Sequence, residues 1–312
     1  MPRSMKIGIQ LPEVEYEARW NDYLMMGRLA EQVGFDSLWV GDHLLYHDDQ
    51  HGRRGPWECF TILTALAAVT TKVELGPLVA STSFRNPAMT AKIAESIDEI
   101  SGGRFILGLG AGWNETEYRA FGYPFDHRIS RFEEAFTIIH TLIRTGKIDF
   151  QGEWYSAIDC TLAPRGPRPG SLPILIGSTG ERMLRITLPY VDQWNIWYAD
   201  FGNSVAGLGP YLARVNRIAQ DVGRNPGEIT RTAAVLVQAP GGGGRASGAS
   251  KERALAPIRG SVSEVATRLA EFGRAGIDHL QIVLDPITPE AIDWVAPALA
   301  EARQRVAAGE PA

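Results

Sequence analysis

Apolar positions follow two alternating patterns along this 312-residue chain. The run 105–109 is wholly apolar, which is typical of a strand buried on both faces. The segment 20–33 instead spaces apolar residues three or four positions apart, as on one face of a helix. Repetition of the first pattern predicts strands at 6–11, 36–40, 73–79, 105–109, 173–176, 191–197, 229–238 and 277–284. Repetition of the second predicts helices at 20–33, 57–70, 87–101, 131–145, 181–188, 210–222, 261–275 and 289–306.

The regular alternation of strands and helices predicts the fold class. It is typical of an α/β protein whose parallel strands are joined by helical crossovers. Eight such units close most naturally into a (β/α)8 TIM barrel with loop insertions at its C-terminal face, and an open doubly wound sheet is the second possibility. No linker divides the chain, so residues 1–312 are expected to form a single domain. In a barrel, the residues that follow each strand are the candidates for function.

Composition narrows the expected partners and compartment. Hydrophobic residues make up 45% of the chain and the formal net charge is -5. No basic block stands out, which argues against nucleic acid, and the apolar runs are too short to span a membrane. The first residues lack the apolar core of a secretory signal, and the two cysteines, Cys59 and Cys160, predict reduced thiols. We therefore expect a cytoplasmic protein that acts on a small molecule.

A glycine-rich stretch, GGRFILGLGAGW, occupies 102–113 around the fourth predicted strand. Gly108, Gly110 and Gly112 remove side chains from the strand end, where something flat or phosphorylated could approach the backbone. Trp113 and Asn114 follow at once and could close over a ligand. A plain glycine-rich connection explains the stretch equally well.

Asp42 and His43 follow the second predicted strand. His43 is the only histidine at a predicted strand end, and an imidazole suits proton transfer near neutral pH. Asp42 could orient it or remain solvated. The alternative is a polar loop start without a catalytic role.

His43, His47 and His51 are spaced four residues apart and would share one face of a helix, where they could hold a metal. Gly52 and the many aspartates around them favour a loop instead. Metal binding is therefore the less favoured interpretation, and no metal is expected.

Two further strand ends carry polar groups. Hydroxyl residues, among them Ser81, follow Leu78 and Val79 and could donate to a ring, although loops are often rich in serine and threonine. Gly177, Ser178, Thr179 and Gly180 open a predicted helix and form a natural phosphate cradle. These strand ends together suggest a ligand with a flat polar ring and a phosphate.

Three stretches are predicted to lie outside the regular pattern. The segment 111–129 is expected to be a long loop, and 146–168 an excursion with a small hairpin around Trp154. The low-complexity sequence APGGGGRASGAS at 239–250 is expected to be mobile.

Three blocks of the sequence resemble the luciferase-like monooxygenase family of bacteria. They read GFDSLWVGDHLL, VELGPLVASTSFRNPAMTAKIAESIDEISGGRFILGLGAGWNETEYRAFG, and PILIGSTGERMLRI followed by VDQWN. The resemblance runs from Lys6 to about Trp197. Within the family, the sequence is most similar to the branch that uses the deazaflavin coenzyme F420, although relatives that use FMN share much of the pattern.

The resemblance implies a barrel whose mouth holds the cofactor ring. Asp42 and His43 would lie near the reactive carbon, and Leu78–Val79 would be joined by a cis peptide bond that supports the ring. Gly110 to Asn114 would run along the cofactor, and Gly177 to Gly180 would surround its phosphate. Many relatives are dimers, so a homodimer is expected. The glycine-rich segment after the seventh strand departs from the family, because it lacks a clear basic anchor for the cofactor tail.

The expected activity is hydride transfer between F420 and a small organic substrate, with His43 giving or taking the paired proton. Trp113, Trp197 and Tyr198 could wall the substrate pocket, although these rings could also simply pack. An FMN-dependent monooxygenase is the second hypothesis, and a barrel that only carries the cofactor is the third. A metal-dependent hydrolase is a distant fourth.

Overall fold

Nine parallel strands form one continuous sheet that closes into a barrel. The structure is a computed structural model that describes residues 5–48, 52–245 and 255–309. Strands in these ranges are β1 Lys6–Gln10, β2 Ser37–Val40, β3 Tyr46–Asp48, β4 Gly52–Arg54, β5 Glu74–Pro77, β6 Ala80–Ser81, β7 Leu107–Gly110, β8 Lys147–Gln151, β9 Ser156–Thr161, β10 Ile174–Gly177, β11 Gln193–Ile196, β12 Thr230–Gln238 and β13 His279–Asp285. Helices in them are α1 Trp20–Val33, α2 Cys59–Val69, α3 Pro87–Ser101, α4 Glu115–Phe121, α5 Arg128–Thr145, α6 Glu181–Thr187, α7 Val205–Asp221, α8 Val262–Arg274 and α9 Pro289–Ala308.

The barrel closes through a strand that is broken in two. The order in the sheet is β5-β2-β1-β13-β12-β11-β10-β7-β6, so β5 and β6 lie at its two ends. β5 lies within the third predicted strand, 73–79, whereas β6 comes directly after it, and the Leu78–Val79 peptide bond between them is cis. A parallel β-bridge between Leu75 on β5 and Phe105, just before β7, closes the remaining gap in the barrel. Eight strand positions therefore surround one axis, and the predicted TIM barrel is confirmed.

Helix boundaries follow local capping chemistry. At the start of α3, the Asn86 side chain accepts from Met89 N at 3.2 Å, and Gly102 ends the helix with a φ of 67°. Ser261 and Glu264 form a capping box at α8, with Ser261 as the N-cap. The seventh helix begins at Val205 rather than Pro210, because Ser204 caps it by accepting from Gly207 N.

Two short antiparallel strand pairs are inserted between elements of the barrel. The hairpin β8–β9 confirms the predicted excursion around Trp154, and Glu134 on α5 accepts from three successive backbone amides at its turn. A shorter antiparallel pair, β3–β4, follows β2. The segment predicted as a loop between 111 and 129 contains the short helix α4, and α5 begins earlier than predicted, at Arg128.

The barrel interior at the end opposite the cavity is packed and contains three buried polar side chains linked by short contacts. Trp39 Nε1 donates to Ser37 Oγ at 2.7 Å, and Ser37 Oγ lies 2.7 Å from His279 Nε2. Gly8 makes room for these side chains, since a Cβ there would lie 2.0 Å from Ser37 Oγ. Among the described helices, none is both long and apolar enough to cross a bilayer. The open space for a ligand lies at the opposite end of the strands.

Candidate active site

A cavity of about 560 Å³ lies at the C-terminal ends of the barrel strands. Such a volume suits a small molecule or a cofactor ring. Residues that follow β1, β2, β5, β7, β10 and β11 contribute to its wall. The lining includes Gln10, Glu13, Asp42, His43, Tyr46, Leu78, Val79, Ser81, Gly110, Gly112, Trp113, Glu117, Arg128, Gly177, Ser178, Thr179, Asn195, Trp197, Asp200 and Arg245.

His43 is held at the cavity by Glu117 on α4. Its Nδ1 lies 3.0 Å from Glu117 Oε1, and Glu117 Oε2 accepts from Leu44 N at 2.8 Å. Because a carboxylate can only accept, Nδ1 must carry the hydrogen, which leaves Nε2 as the other end of the ring. Nε2 lies 4.0 Å from Glu13 Oε1, beyond hydrogen-bonding distance.

The surroundings of His43 act on its pKa in opposite directions. Burial alone would lower the pKa, because it disfavours the charged imidazolium. The hydrogen bond to Glu117 and the charges of Glu13, Glu117 and Asp42 outweigh burial, so the pKa of His43 is raised above its ordinary value. His43 is 17% exposed and lies among carboxylates at the cavity, an arrangement suited to giving or taking a proton.

Glu13 lies at the centre of a buried polar cluster beside His43. Its Oε1 accepts a short hydrogen bond from the Tyr46 hydroxyl, and its Oε2 accepts from Gln10 Nε2 at 2.8 Å and from Arg245 Nη2 at 3.3 Å. Burial, followed by the charge and hydrogen bond of Glu13, raises the pKa of Tyr46 well above its ordinary value. The Tyr46 hydroxyl therefore keeps its proton and donates to Glu13.

Asp42 lies in the cavity wall but is engaged by another residue. Both of its carboxylate oxygens accept from the Arg85 guanidinium at 2.8 Å, and Oδ2 also accepts from Ser81 N at 2.9 Å. Its side chain is fully buried, and it influences His43 through charge. Arg85 thus braces the loop through Asp42, while a direct catalytic role for Asp42 stays a prediction.

The glycines near the broken strand have a packing role. A Cβ at Gly110 would lie 2.8 Å from Val79 Cγ2, and one at Gly177 would lie 2.9 Å from the same atom. The cis peptide bond expected between Leu78 and Val79 is confirmed. Glycine at these positions lets Val79 project from the broken strand, so their spacing reflects this packing as well as access to the cavity.

Gly112 allows a second close approach, beside Ser81. With a φ of 71°, it would place a Cβ 2.0 Å from the Tyr118 hydroxyl, which lies 2.9 Å from Ser81 Oγ. Asn114 follows, but its side-chain amide donates to the Leu45 carbonyl at 2.9 Å and it does not line the cavity. Contact of Asn114 with a cofactor stays a prediction.

The predicted phosphate cradle lies at the edge of the cavity. Ser178 and Thr179 line it, whereas Gly180 lies outside the lining and serves as the N-cap of α6. Ser178 Oγ accepts from Gly180 N at 3.3 Å, and the Thr179 carbonyl accepts from Arg214 at 3.2 Å. Phosphate binding at these residues stays a prediction.

Aromatic rings cover the outer part of the cavity. Trp113 is 51% exposed and its ring centroid lies 5.5 Å from that of His43. Trp197 also lines the cavity, with its ring 4.6 Å from that of Tyr198. Tyr198 itself is fully buried and does not line the cavity, so it packs behind Trp197 rather than forming the wall.

The metal interpretation involved His43, His47 and His51. Within the ranges given above, no group of three or more histidines, cysteines, aspartates or glutamates is placed to hold a metal ion. His51 lies outside the described residues. The Nδ1 atom of His43 is occupied by Glu117.

Several site residues have no counterpart among the sequence predictions. Glu13, Glu117 and Arg245 contact one another or His43 only in the folded chain. The helix that carries Glu117 had a local signal, because Asn114 stands at its N-cap and Gly122 ends it with a φ of 78°. Arg245 had none, since it lies in the glycine-rich segment that was predicted to be mobile. The described part of that segment, 239–245, instead folds onto the barrel mouth, whereas 246–250 lie outside the described residues.

The parallel barrel and the cavity at its C-terminal face together define a TIM-barrel protein with its open site where barrel enzymes place their active sites. The luciferase-like monooxygenase family model matches residues 5–241, and the chain belongs to this family. The resemblance seen in the sequence is thereby confirmed.

Relatives of two activities are similar to the chain. A 5,10-methylenetetrahydromethanopterin reductase of Archaeoglobus fulgidus is 34% identical over 189 residues, which cover 60% of this chain and 52% of the reductase. A pyrimidine monooxygenase RutA of Cronobacter turicensis is 31% identical over 175 residues, or 54% of this chain and 45% of that protein. The chain thus matches about half the length of these curated relatives.

Among solved structures, an F420-dependent secondary alcohol dehydrogenase in complex with an F420-acetone adduct superposes with a TM-score of 0.80. It is 18% identical, and the alignment covers 96% of this chain and 99% of that chain. The monooxygenase RslO1 of Streptomyces bottropensis has a TM-score of 0.77 at 20% identity, covering 96% and 98% of the two chains. At these identities, the likeness establishes the fold.

Proposed function

We propose that the chain is an oxidoreductase that transfers a hydride between coenzyme F420 and a small organic substrate, with His43 as the residue that gives or takes the accompanying proton. The observation that carries this proposal is the hydrogen bond between His43 Nδ1 and buried Glu117 at the cavity wall. The reductase relative supports hydride chemistry, and the family match supports an oxidoreductase.

The residues present fit a flat deazaflavin. The cavity is of suitable volume, and Val79 presents an apolar side chain where Gly110 and Gly177 leave space. Gln10 Oε1 is buried at the cavity and has no hydrogen-bond partner among the described residues. Its Nε2 is fixed by Glu13, so this oxygen is an acceptor suited to an N–H or O–H of a ligand.

Cofactor contacts are proposed for the lining residues that follow three neighbouring strands. These are Leu78, Val79, Ser81, Gly110, Gly112, Gly177, Ser178 and Thr179. When bound, the deazaflavin supplies a carbon centre that accepts or donates a hydride.

His43 would supply the proton chemistry. Glu117 fixes Nδ1–H, so a neutral His43 accepts a proton at Nε2 and a charged one donates it there. Burial opposes the charged imidazolium, but Glu117, Glu13 and Asp42 raise the pKa of His43 and so favour the charged form, which can donate a proton. Trp113 and Trp197 would exclude water from the substrate, as aromatic walls do in many pockets.

The decisive experiment is a side-by-side titration of the purified protein with F420 and FMN, followed by turnover over a panel of alcohols, aldehydes and imines. His43→Ala should lower turnover by roughly 10²–10⁴ and spare cofactor binding. His127→Ala, whose side chain is 65% exposed, is the control and should keep both. A fully active His43→Ala enzyme would remove His43 from the mechanism.

An FMN-dependent monooxygenase is the second candidate function, and the pyrimidine monooxygenase relatives support it. It predicts oxygen consumption with FMN and a flavin reductase, which the F420 hypothesis does not. Tight binding without turnover in either assay would instead favour a cofactor carrier.

We also propose a homodimer. Exposed apolar side chains on α1 and α3 support it, since Met25 is 53% exposed, Met89 56% and Ile100 47%. Light scattering across a concentration series would test the oligomeric state, and a monomer at all concentrations would reject this proposal.

A further inference from the structure

Residues 239–245, which we call the mouth strap, cross the barrel mouth directly after β12. Ala239 N donates to the Asp285 carbonyl at 2.8 Å, and Gly244 N donates to Asp285 Oδ2 at 2.8 Å. Gln238 Nε2 donates to the Gly242 carbonyl at 3.0 Å. Hydrogen bonds therefore hold the strap against the ends of β12 and β13, although its composition resembles that of a flexible linker.

Gly242 packs closely against the end of β13. A Cβ at this position would lie 2.4 Å from the Asp285 carbonyl oxygen, a contact that cannot exist without movement of the backbone. Gly243, the next residue, has nothing within 4 Å of an added Cβ. Docking of the strap thus requires glycine at 242 and not at 243.

Arg245, the last residue of the mouth strap, lies in the wall of the candidate active site. The Arg245 side chain is only 4% exposed, and its Nε donates to Glu15 Oε1 at 2.7 Å. Its Nη2 lies 3.3 Å from Glu13 Oε2, and its guanidinium carbon lies 5.3 Å from the centre of the Trp197 ring. A guanidinium this well buried between two carboxylates and an aromatic face is held in one place.

Within the described part of the chain, Arg245 is one of three side chains that donate to Glu13. Tyr46 and Gln10 are the other two, and Glu13 in turn faces His43 Nε2 at 4.0 Å. Without the guanidinium, two buried carboxylates of one loop would lose their compensating charge, which is costly. Arg245 also lies beyond residue 241, where the family match ends, so this contribution comes from the part of the chain that the family model does not cover.

We propose that Arg245 is a positioning residue of the active site, carried into the cavity by the mouth strap to hold Glu13 opposite His43. This inference rests on the proposed function, because it concerns the environment of the histidine that would exchange the proton. Its tests use the cofactor-free protein, so that they are independent of whether F420 binds.

The first test measures strap docking by limited trypsin digestion and mass spectrometry. A buried Arg245 side chain is protected from trypsin, so wild-type protein should be cut slowly after residue 245. Gly242→Ala should be cut there about tenfold faster, since cleavage follows the population of the undocked strap. Gly243→Ala, which adds the same methyl group in open space, should behave as wild type. Equal rates for the two alanine variants would overturn the proposal.

The second test measures the effect of Arg245 on His43 by NMR of the imidazole groups, with His43→Gln to assign the signal among six histidines. Arg245→Met should move the His43 resonance, and Arg245→Lys, which keeps the charge, should return it most of the way. The His140 resonance on α5 should stay in place in both variants. A His43 resonance unmoved in Arg245→Met, or moved equally in Arg245→Lys, would overturn the proposal.

Either test can decide the role of Arg245 if the other one fails. Both tests are also independent of the experiment that decides the proposed function. If Gly242→Ala does not fold, as judged by circular dichroism, the Met and Lys variants at Arg245 decide alone. Titration of the wild-type protein with F420 is run in parallel. A chain that fails to bind F420 rejects the proposed function, whereas the digestion and NMR results still decide the role of Arg245.

Discussion

Glu117 Oε1 lies 3.0 Å from His43 Nδ1, although 74 residues separate the two along the chain. The carboxylate is 1% exposed and also accepts from the backbone amide of Leu44. One buried side chain thus fixes both the ring of His43 and the loop that carries it. This arrangement makes the proton affinity of His43 depend on α4, an element that does not belong to the barrel.

Replacement of Glu117 by Gln should lower the pKa of His43. Burial already opposes the charged imidazolium, and the hydrogen bond and charge of Glu117 offset it together with the charges of Glu13 and Asp42. An NMR titration of the His43 imidazole measures this change directly. The free energy of unfolding should also fall by about 1–3 kcal/mol, because a buried hydrogen-bonded group is altered.

Glu134→Gln is the matched control for this experiment. Glu134 also accepts from backbone amides, at Glu153 and Trp154, but it does so at the β8–β9 turn. Its replacement should cost stability without changing the His43 titration. An unchanged His43 pKa in Glu117→Gln would mean that another group sets its proton affinity.

Gly177→Ala should destabilise the fold through Val79. The new methyl group would lie 2.9 Å from Val79 Cγ2, and overpacking of this kind costs about 1–3 kcal/mol in the free energy of unfolding. Adding Val79→Ala should recover part of the loss, because it removes the clashing atoms. Gly180→Ala is the control, since its Cβ would meet nothing closer than 3.9 Å. Urea denaturation compares these three variants with wild type, and a double variant no more stable than Gly177→Ala would contradict the argument.

Arg85→Met should be strongly destabilising. It would leave the fully buried Asp42 carboxylate without its bidentate partner, and breaking such a pair typically costs about 3–5 kcal/mol. The double variant Asp42→Asn/Arg85→Met should be more stable than Arg85→Met alone, because no buried charge remains. Arg217→Met is the control, since its partner Asp221 is exposed and such pairs contribute less than about 1 kcal/mol. Thermal or urea unfolding would reveal the difference, and equal losses at Arg85 and Arg217 would speak against it.

The barrel could be predicted from the sequence because strands and helices are specified by residues that are close together along the chain. Wholly apolar runs such as 105–109, and caps such as Asn86 and Ser261, record the strand and helix boundaries within a few residues. The break at Leu78–Val79 was expected only through the family resemblance, since no apolar pattern distinguishes a cis bond from a trans bond.

The candidate site was predictable only where a residue follows its own strand. His43 and Asp42 satisfy that condition, and they line the cavity. Glu117 and Arg245 reach the same cavity from a short helix and a glycine-rich segment, through contacts with residues distant in the sequence. Tyr198 shows that a position after a strand does not by itself place a residue at the cavity: of the two alternatives left open for it, pocket wall or packing, its buried ring packs behind Trp197.

His279 should make the protein sensitive to acid. Its burial, together with the charges of Lys6 and Arg303, lowers the pKa of His279 to about 3, whereas an unfolded chain would take up this proton near pH 6.5. Below pH 6.5 the unfolded state therefore binds a proton that the folded state refuses. The stability that depends on neutral His279 is complete above that pH and is lost as the pH falls, by about 1.4 kcal/mol for each pH unit.

His279→Gln should flatten this dependence. The amide oxygen of Gln can accept from Ser37 Oγ as the imidazole Nε2 does, while the side chain takes up no proton. We expect the variant to be somewhat less stable than wild type at pH 7 and to lose less free energy of unfolding between pH 6.5 and 4. Urea denaturation at several pH values measures how the free energy of unfolding of each protein changes with pH. His140, whose pKa burial lowers to about 4, contributes equally to wild type and variant, so comparing the two removes its contribution. His127→Gln, at an exposed position, should keep the wild-type slope. Parallel slopes for wild type and His279→Gln would show that the buried chain from Trp39 to His279 does not control acid unfolding.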